Sequence, residues 1–142
     1  MPTLGWITPN PAPPRTNTYV MASRFEVKSL ADVPTFLLKS LSSWSQVKTA
    51  RGAYGASLIA QPLKRTFWTL SAWEDRDALY AYAKSDPHGA AMRAMAPKMK
   101  SSTFIFWEAD TATLPIGWDD AKRRLAEKAR EDAARGGGGH RA

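Results

Sequence analysis

The chain has no cysteine, so a disulfide framework, a thiolate nucleophile and a cysteine-ligated metal are all excluded. Histidine is nearly as scarce, with two in 142 residues, His88 and His140. There is no HxxxH pair, no cluster of histidines with carboxylates and no glycine-rich loop between a strand and a helix, which removes the usual signatures of metal and phosphate sites. No serine has an outlined partner base and oxyanion hole. Long apolar runs are missing as well. Nothing approaches the roughly 20 apolar residues of a membrane span, and the prolines of MPTLGWITPNPAPPR stand where a signal peptide needs an apolar helical run. These absences predict a soluble protein, and the lack of cysteine fits a reducing cytoplasm.

Aromatic residues are plentiful: six Trp, five Phe and four Tyr in a chain that is 44% hydrophobic, enough for one well-filled core. The net charge of +7 is spread along the chain. Only Lys98/Lys100 and Lys122-Arg123-Arg124 cluster, so it reads as solubility charge, and a nucleic-acid partner is disfavoured.

Residues 1–18 hold five of the ten prolines and show no period, which predicts an extended arm rather than an element, with Trp6 and Ile7 free to dock. Residues 19–27, YVMASRFEV, read as a strand. Ser29 or Asp32 can cap the next segment and Pro34 fits its first turn. Val33, Phe36, Leu37, Leu41, Trp44 and Val47 then recur at threes and fours, a helix with one apolar face that closes near Arg51 and Gly52. Residues 54–60 and 66–73 predict a hairpin across QPLKR. On its second strand Phe67, Thr69, Ser71 and Trp73 share one face and Trp68, Leu70 and Ala72 the other. The acidic EDRD run caps a second helix with Leu79, Tyr82 and Ala83 inward, and Ser85-Asp86-Pro87 ends it and restarts a helix through Met92 and Met95. TFIFWEA is the fourth strand. Beyond Leu114-Pro115, Asp119 caps a charged helix with a thin stripe of Ala121, Leu125 and Ala129. The GGGGHRA tail has no core to join, which makes His140 a poor site residue.

The order β-α-β-β-α-β predicts an α+β, ferredoxin-like antiparallel sheet with two helices on one face. The divisions are an arm over 1–18, the ferredoxin-like domain over 19–110, an appended C-terminal helix over 111–135 and a tail over 136–142. Two helices cover one face only. Aromatic side chains on the other predict a homodimer built sheet to sheet, with the appended helix packed on the partner.

That order, the strand ending TLSAWED, the helix after it and the SDPH break together resemble the antibiotic biosynthesis monooxygenase-like group of the dimeric α/β-barrel superfamily. Trp44 with FWTLSAW is similar to spheroidene-monooxygenase-like proteins. The resemblance spans roughly residues 19–109. It implies a pocket between the helices and the concave face of the sheet and dimerisation through the sheets. The group includes cofactor-independent oxygenases of polyphenolic substrates, isomerases and haem proteins.

His88 follows the break near a helix start, where the positive end of the dipole disfavours an imidazolium, and a neutral ring is what a general base or a haem ligand requires. A capping histidine is the competing reading. Phe67, Thr69, Ser71 and Trp73 form an aromatic wall with two hydroxyls, Tyr82 can hold an oxygen and Met92 supplies shape, although such residues more often fill a core. Arg51 and Arg93 read as solvated surface. The expectation is a small homodimeric enzyme acting on a planar, largely apolar, polyketide- or phenol-like metabolite, as a monooxygenase or related isomerase or cyclase without a cofactor. Haem on His88 is the alternative cofactor. A non-catalytic small-molecule or RNA-binding module is the third reading, with RNA disfavoured because neither aromatic strand carries the basic-aromatic motif of RNA-recognition domains.

Overall fold

The computed structural model describes residues 3–136. Its strands are β1 (Thr3–Ile7), β2 (Asn17–Val27), β3 (Ala53–Gln61), β4 (Thr66–Trp73) and β5 (Met99–Asp110), and its helices α1 (Val33–Val47), α2 (Arg76–Lys84), α3 (His88–Met95) and α4 (Trp118–Gly136). The strands form one sheet in the order β1-β3-β4-β2-β5, each neighbouring pair antiparallel. Without β1 this is the ferredoxin-like order, as the sequence predicts.

Local chemistry sets the boundaries. Pro62 opens a single turn of 3₁₀-helix after β3, and Arg65, in the left-handed conformation at φ 56°, swings the chain back into β4. Asp75 caps α2 by accepting the Ala78 N–H at 2.8 Å. Gly52 closes the turn after α1 at φ 79°, and a Cβ there would come within 2.8 Å of the Ala78 Cβ. Ser29 caps a 3₁₀ turn before α1 rather than α1 itself, and Asp32 makes no side-chain cap bond. Asp119 lies in the first turn of α4, which begins two residues earlier than its predicted cap requires.

Alternation divides the sheet into two faces. Tyr19, Met21, Phe25, Phe67 and Trp73 point toward α1–α3, and Val20, Ala22, Leu70 and Ala72 point away. Tyr54 joins the second group of buried residues.

Two expectations are corrected at the chain's flanks. Residues 1–18 are more than an arm, because Thr3–Ile7 pairs with β3 as an edge strand. TLGWI itself has no proline, and the prolines that suggested an arm at 9, 11, 13 and 14 all follow the strand. The indole of Trp6 lies where a Cβ on Gly55 would stand, so glycine is required at that close approach. The following segment is pinned by Asn10, whose amide donates to the Ala50 and Ala53 carbonyls, and by Thr111, which donates from its backbone to Thr16 and from its hydroxyl to Pro13.

The appended helix, expected on a partner, packs on its own sheet. Ala121 and Leu125 of α4 are buried against Val20, Ala22, Leu70 and Ala72, ringed by Trp6, Trp68, Trp107 and Trp118. The small inward residues let the helix approach the sheet closely. Its charged side chains contribute too: the Arg124 guanidinium lies 4.4 Å from the Trp107 ring and the Lys122 ammonium 5.0 Å from that of Trp68. The Trp118 indole N–H donates to Ser57 at 2.9 Å, and the Ser57 hydroxyl donates to the Leu4 carbonyl at 3.0 Å, which ties α4 to β1 through β3. The face that was expected to be covered by a partner's sheet, and that an RNA-recognition sheet would need open, is therefore covered within one chain.

What remains uncovered is the helix side of β5, where Phe104 and Phe106 are 37% and 45% exposed. Among the described residues no helix is long and apolar enough to cross a membrane. His140 and residues 137–142 of the predicted tail lie outside the described residues.

Candidate active site

A cavity of about 90 Å³ lies between α1, α2 and α3 and the sheet. That is several times the roughly 10–15 Å³ that one water occupies by a comparable measure. Its floor is sheet, with Met21 from β2, Ala56 and Leu58 from β3, and Thr69, Ser71 and Trp73 from β4. Tyr82, His88, Ala91 and Met92 form one wall and Trp44 with Ser43 another.

The cavity thus brings together six of the seven side chains expected at a site: Thr69, Ser71, Trp73, Tyr82, His88 and Met92. Phe67 is the exception. It is fully buried beneath α1, its ring 4.5 Å from that of Phe36, and belongs to the core. Trp73 is fully buried as well, so it forms the cavity floor rather than the rim. Its indole N–H donates to the Ser71 hydroxyl at 2.8 Å, and its carbonyl accepts from Thr18 at 2.8 Å. Thr69 shares a hydrogen bond with Ser23. The Ser71 oxygen accepts from Trp73, while its own proton has no acceptor among the described residues.

Three rings rise from this floor in a tilted row. Trp73 and Tyr82 lie 5.0 Å apart, and Tyr82 and His88 4.8 Å apart. Tyr82 donates its hydroxyl proton to the Ser43 carbonyl at 3.0 Å, and burial raises its pKa, so the phenol stays protonated. The Nδ1 of His88 is 3.0 Å from the Ala83 carbonyl. A carbonyl can only accept, so Nδ1 carries the proton and Nε2 keeps its lone pair. Burial lowers the His88 pKa from its ordinary 6.5, more than the bond to Ala83 raises it. The dipole at the helix start was the ground for expecting a neutral ring; burial is the cause of the lowering found here.

Gln46 was not singled out from sequence, yet it holds this wall together. Its side-chain oxygen accepts the His88 backbone N–H at 2.7 Å, and its amide nitrogen donates to the carbonyls of Tyr82 and Ser85 at 3.2 and 3.3 Å. One carboxamide therefore joins the end of α1 to the end of α2 and the start of α3. Lys39, Ser40 and Ser43 also line the cavity. With Phe36 and Val47 they make the inward stripe of α1, whereas Leu41, expected on that stripe, is 41% exposed. A helix face above a cavity need not be apolar. Polar residues at threes and fours between Phe36 and Val47 were the available signal. Of the two arginines read as surface, Arg93 pairs with Asp86 at 3.4 Å, both exposed.

No protein-family model and no curated protein matches the chain. Solved structures do. A crystal structure of an antibiotic biosynthesis monooxygenase superposes with a TM-score of 0.58 at 12% identity, over 64% of this chain and 97% of its own. A protein from Shewanella oneidensis gives 0.58 at 12% identity, over 67% and 93%. The fold is that of the antibiotic biosynthesis monooxygenases. A variant of SnoaB, a cofactor-independent oxygenase from Streptomyces nogalater, superposes with a TM-score of 0.50 at 16% identity, over 69% of this chain and 97% of its own.

Haem, the alternative cofactor, is tested by the cavity itself. A free Nε2 opposite a bonded Nδ1 suits axial ligation. Against it, the Tyr82 ring packs on the imidazole with 4.8 Å between centroids. Among the described residues no group of three or more histidines and carboxylates could hold a metal ion.

Proposed function

We propose that the chain is a cofactor-independent enzyme that binds a planar, largely apolar, phenol- or polyketide-like metabolite over the Trp73 floor and removes a proton from it with Nε2 of His88. The observation that carries this reading is the neutral imidazole, its Nδ1 committed to a backbone carbonyl and its Nε2 free in a mostly apolar cavity. A C–H or O–H bond of the ligand breaks, the proton goes to Nε2, and the electron pair stays on the ring system as an enolate or phenolate. With dioxygen as co-reactant, a ring CH₂ becomes C=O, one oxygen atom entering the product and the other leaving as water. Without dioxygen, returning the proton to a different carbon gives an isomerase. Trp73 supports the ring, the free proton of Ser71 is offered to a ligand oxygen, and Met92 shapes the wall. The cavity adds geometry and exclusion of water. The oxygenase form is supported by the fold shared with SnoaB.

The test is turnover of planar phenolic metabolites, followed by oxygen consumption and product mass. His88→Ala is expected to lower kcat by about 10²- to 10⁴-fold, the range of a general base, with ligand binding retained. Full turnover by His88→Ala on a substrate of the wild type would falsify the role.

We also propose that two copies pair through β5. The strand is an edge, and its uncovered side reads Lys100, Ser102, Phe104, Phe106, Glu108, Asp110. Turned antiparallel on a second copy of itself, with Phe104 opposite its own copy, this row sets Lys100 against Glu108 and Phe106 beside Ser102. That self-complementarity favours a second copy as the occupant.

A further inference from the structure

We infer that the ligand of this cavity is an anion: a planar ring system carrying an acidic oxygen group, anchored by Lys39 at the end away from His88. The inference rests on the proposed function and names its substrate class.

Lys39 is the one side chain with a formal charge lining the cavity, and no aspartate or glutamate lines it. The two other titratable groups, Tyr82 and His88, are neutral. Lys39 is half-buried and is absent from the ion pairs found among the described residues; of the other lysines outside those pairs, 28, 48, 64 and 84 are exposed and Lys122 lies over the Trp68 ring. A cationic ligand would meet only like charge here. A neutral ring would leave the ammonium without a counter-ion beside an apolar lining. An anionic oxygen completes the site.

The spacing sets the shape of the ligand. Lys39 and Gln46 lie on one stripe of α1, seven residues apart, or about 10 Å along the helix at 1.5 Å per residue. Gln46 grips the His88 backbone, so the cation and the base stand toward opposite ends of the cavity. A bicyclic acid spans that interval, its charged group at Lys39 and its far ring against the Trp73–Tyr82–His88 row.

The experiment uses the full chain and two isosteric probes, 2-naphthoate and 2-naphthamide, titrated calorimetrically at low salt. Wild type is expected to bind the acid about three- to tenfold more tightly than the amide, with the preference shrinking as salt is raised. Lys39→Met, which keeps the apolar stem, should abolish the preference without weakening the amide, and Lys39→Arg should keep it. Equal binding of acid and amide by wild type, or a preference that survives in Lys39→Met, overturns the inference while leaving the ring pocket standing. If neither probe binds wild type, the ring pocket itself falls and the anion site with it.

Discussion

A free histidine titrates near neutrality, so the burial of His88 has a sign that can be measured. Its folded pKa lies below 6.5, its ordinary value. Between the two values the unfolded chain holds a proton that the folded chain does not, so stability falls as pH drops through about 6.5 and levels off below the folded pKa. The contribution is complete above 6.5. Denaturant unfolding across pH 7.5 to 5 should show this decline in wild type and lose it in His88→Ala. The same proton sets the rate, since kcat/KM reports the free enzyme and its acid limb should fall at an apparent pKa below 6.5. Tyr82, held protonated by burial, adds no alkaline limb in the neutral range. A limb at or above 6.5 would mean that the rate-setting base is not the buried His88. At this scale His88, Tyr82 and Ser71 were legible because residue type and strand phase suffice to place them. Gln46 was not, because its bond to His88 joins residues 42 apart and leaves no local pattern.

Among the elements, β1 depends on one glycine. Gly55 leaves room for the Trp6 indole on β3, and any Cβ there must displace it. Gly55→Ala should cost about 1–3 kcal/mol, the range for forcing extra volume into a packed site. Combined with Trp6→Ala the alanine should cost clearly less than it does alone, a coupling read from thermal or urea unfolding of the four members of the cycle. Simple additivity would mean that β1 is not seated on Gly55. The β2, β4 and α2 segments were legible because alternation, capping and turn chemistry agree in them; β4 runs over the predicted 66–73. β1 was hidden because a five-residue strand beside a proline run has too little sequence to show a period. α1 was found, but its inward face was misread where the helix spans a cavity, since periodicity marks contact with core and is blind to a helix that faces a hollow.

For the molecule as a whole, the face that argued for dimerisation is closed by α4, and the proposed contact moves to the β5 edge. Light scattering on a sizing column should return twice the chain mass of 15.7 kDa. Phe104→Asp with Phe106→Asp should return a single mass with an unchanged far-UV spectrum, and Lys100→Glu should weaken an assembly that Glu108→Lys then restores. A wild type of single mass at micromolar concentration rules the contact out. The α4 closure also bears on how the chain is made. Tyr54, Leu70 and Ala72 are shielded from water by a segment C-terminal to every strand. During translation the completed sheet must therefore emerge from the ribosome with that aromatic-rich side wet, and it stays a surface for chaperones or for other nascent chains until the last helix folds down.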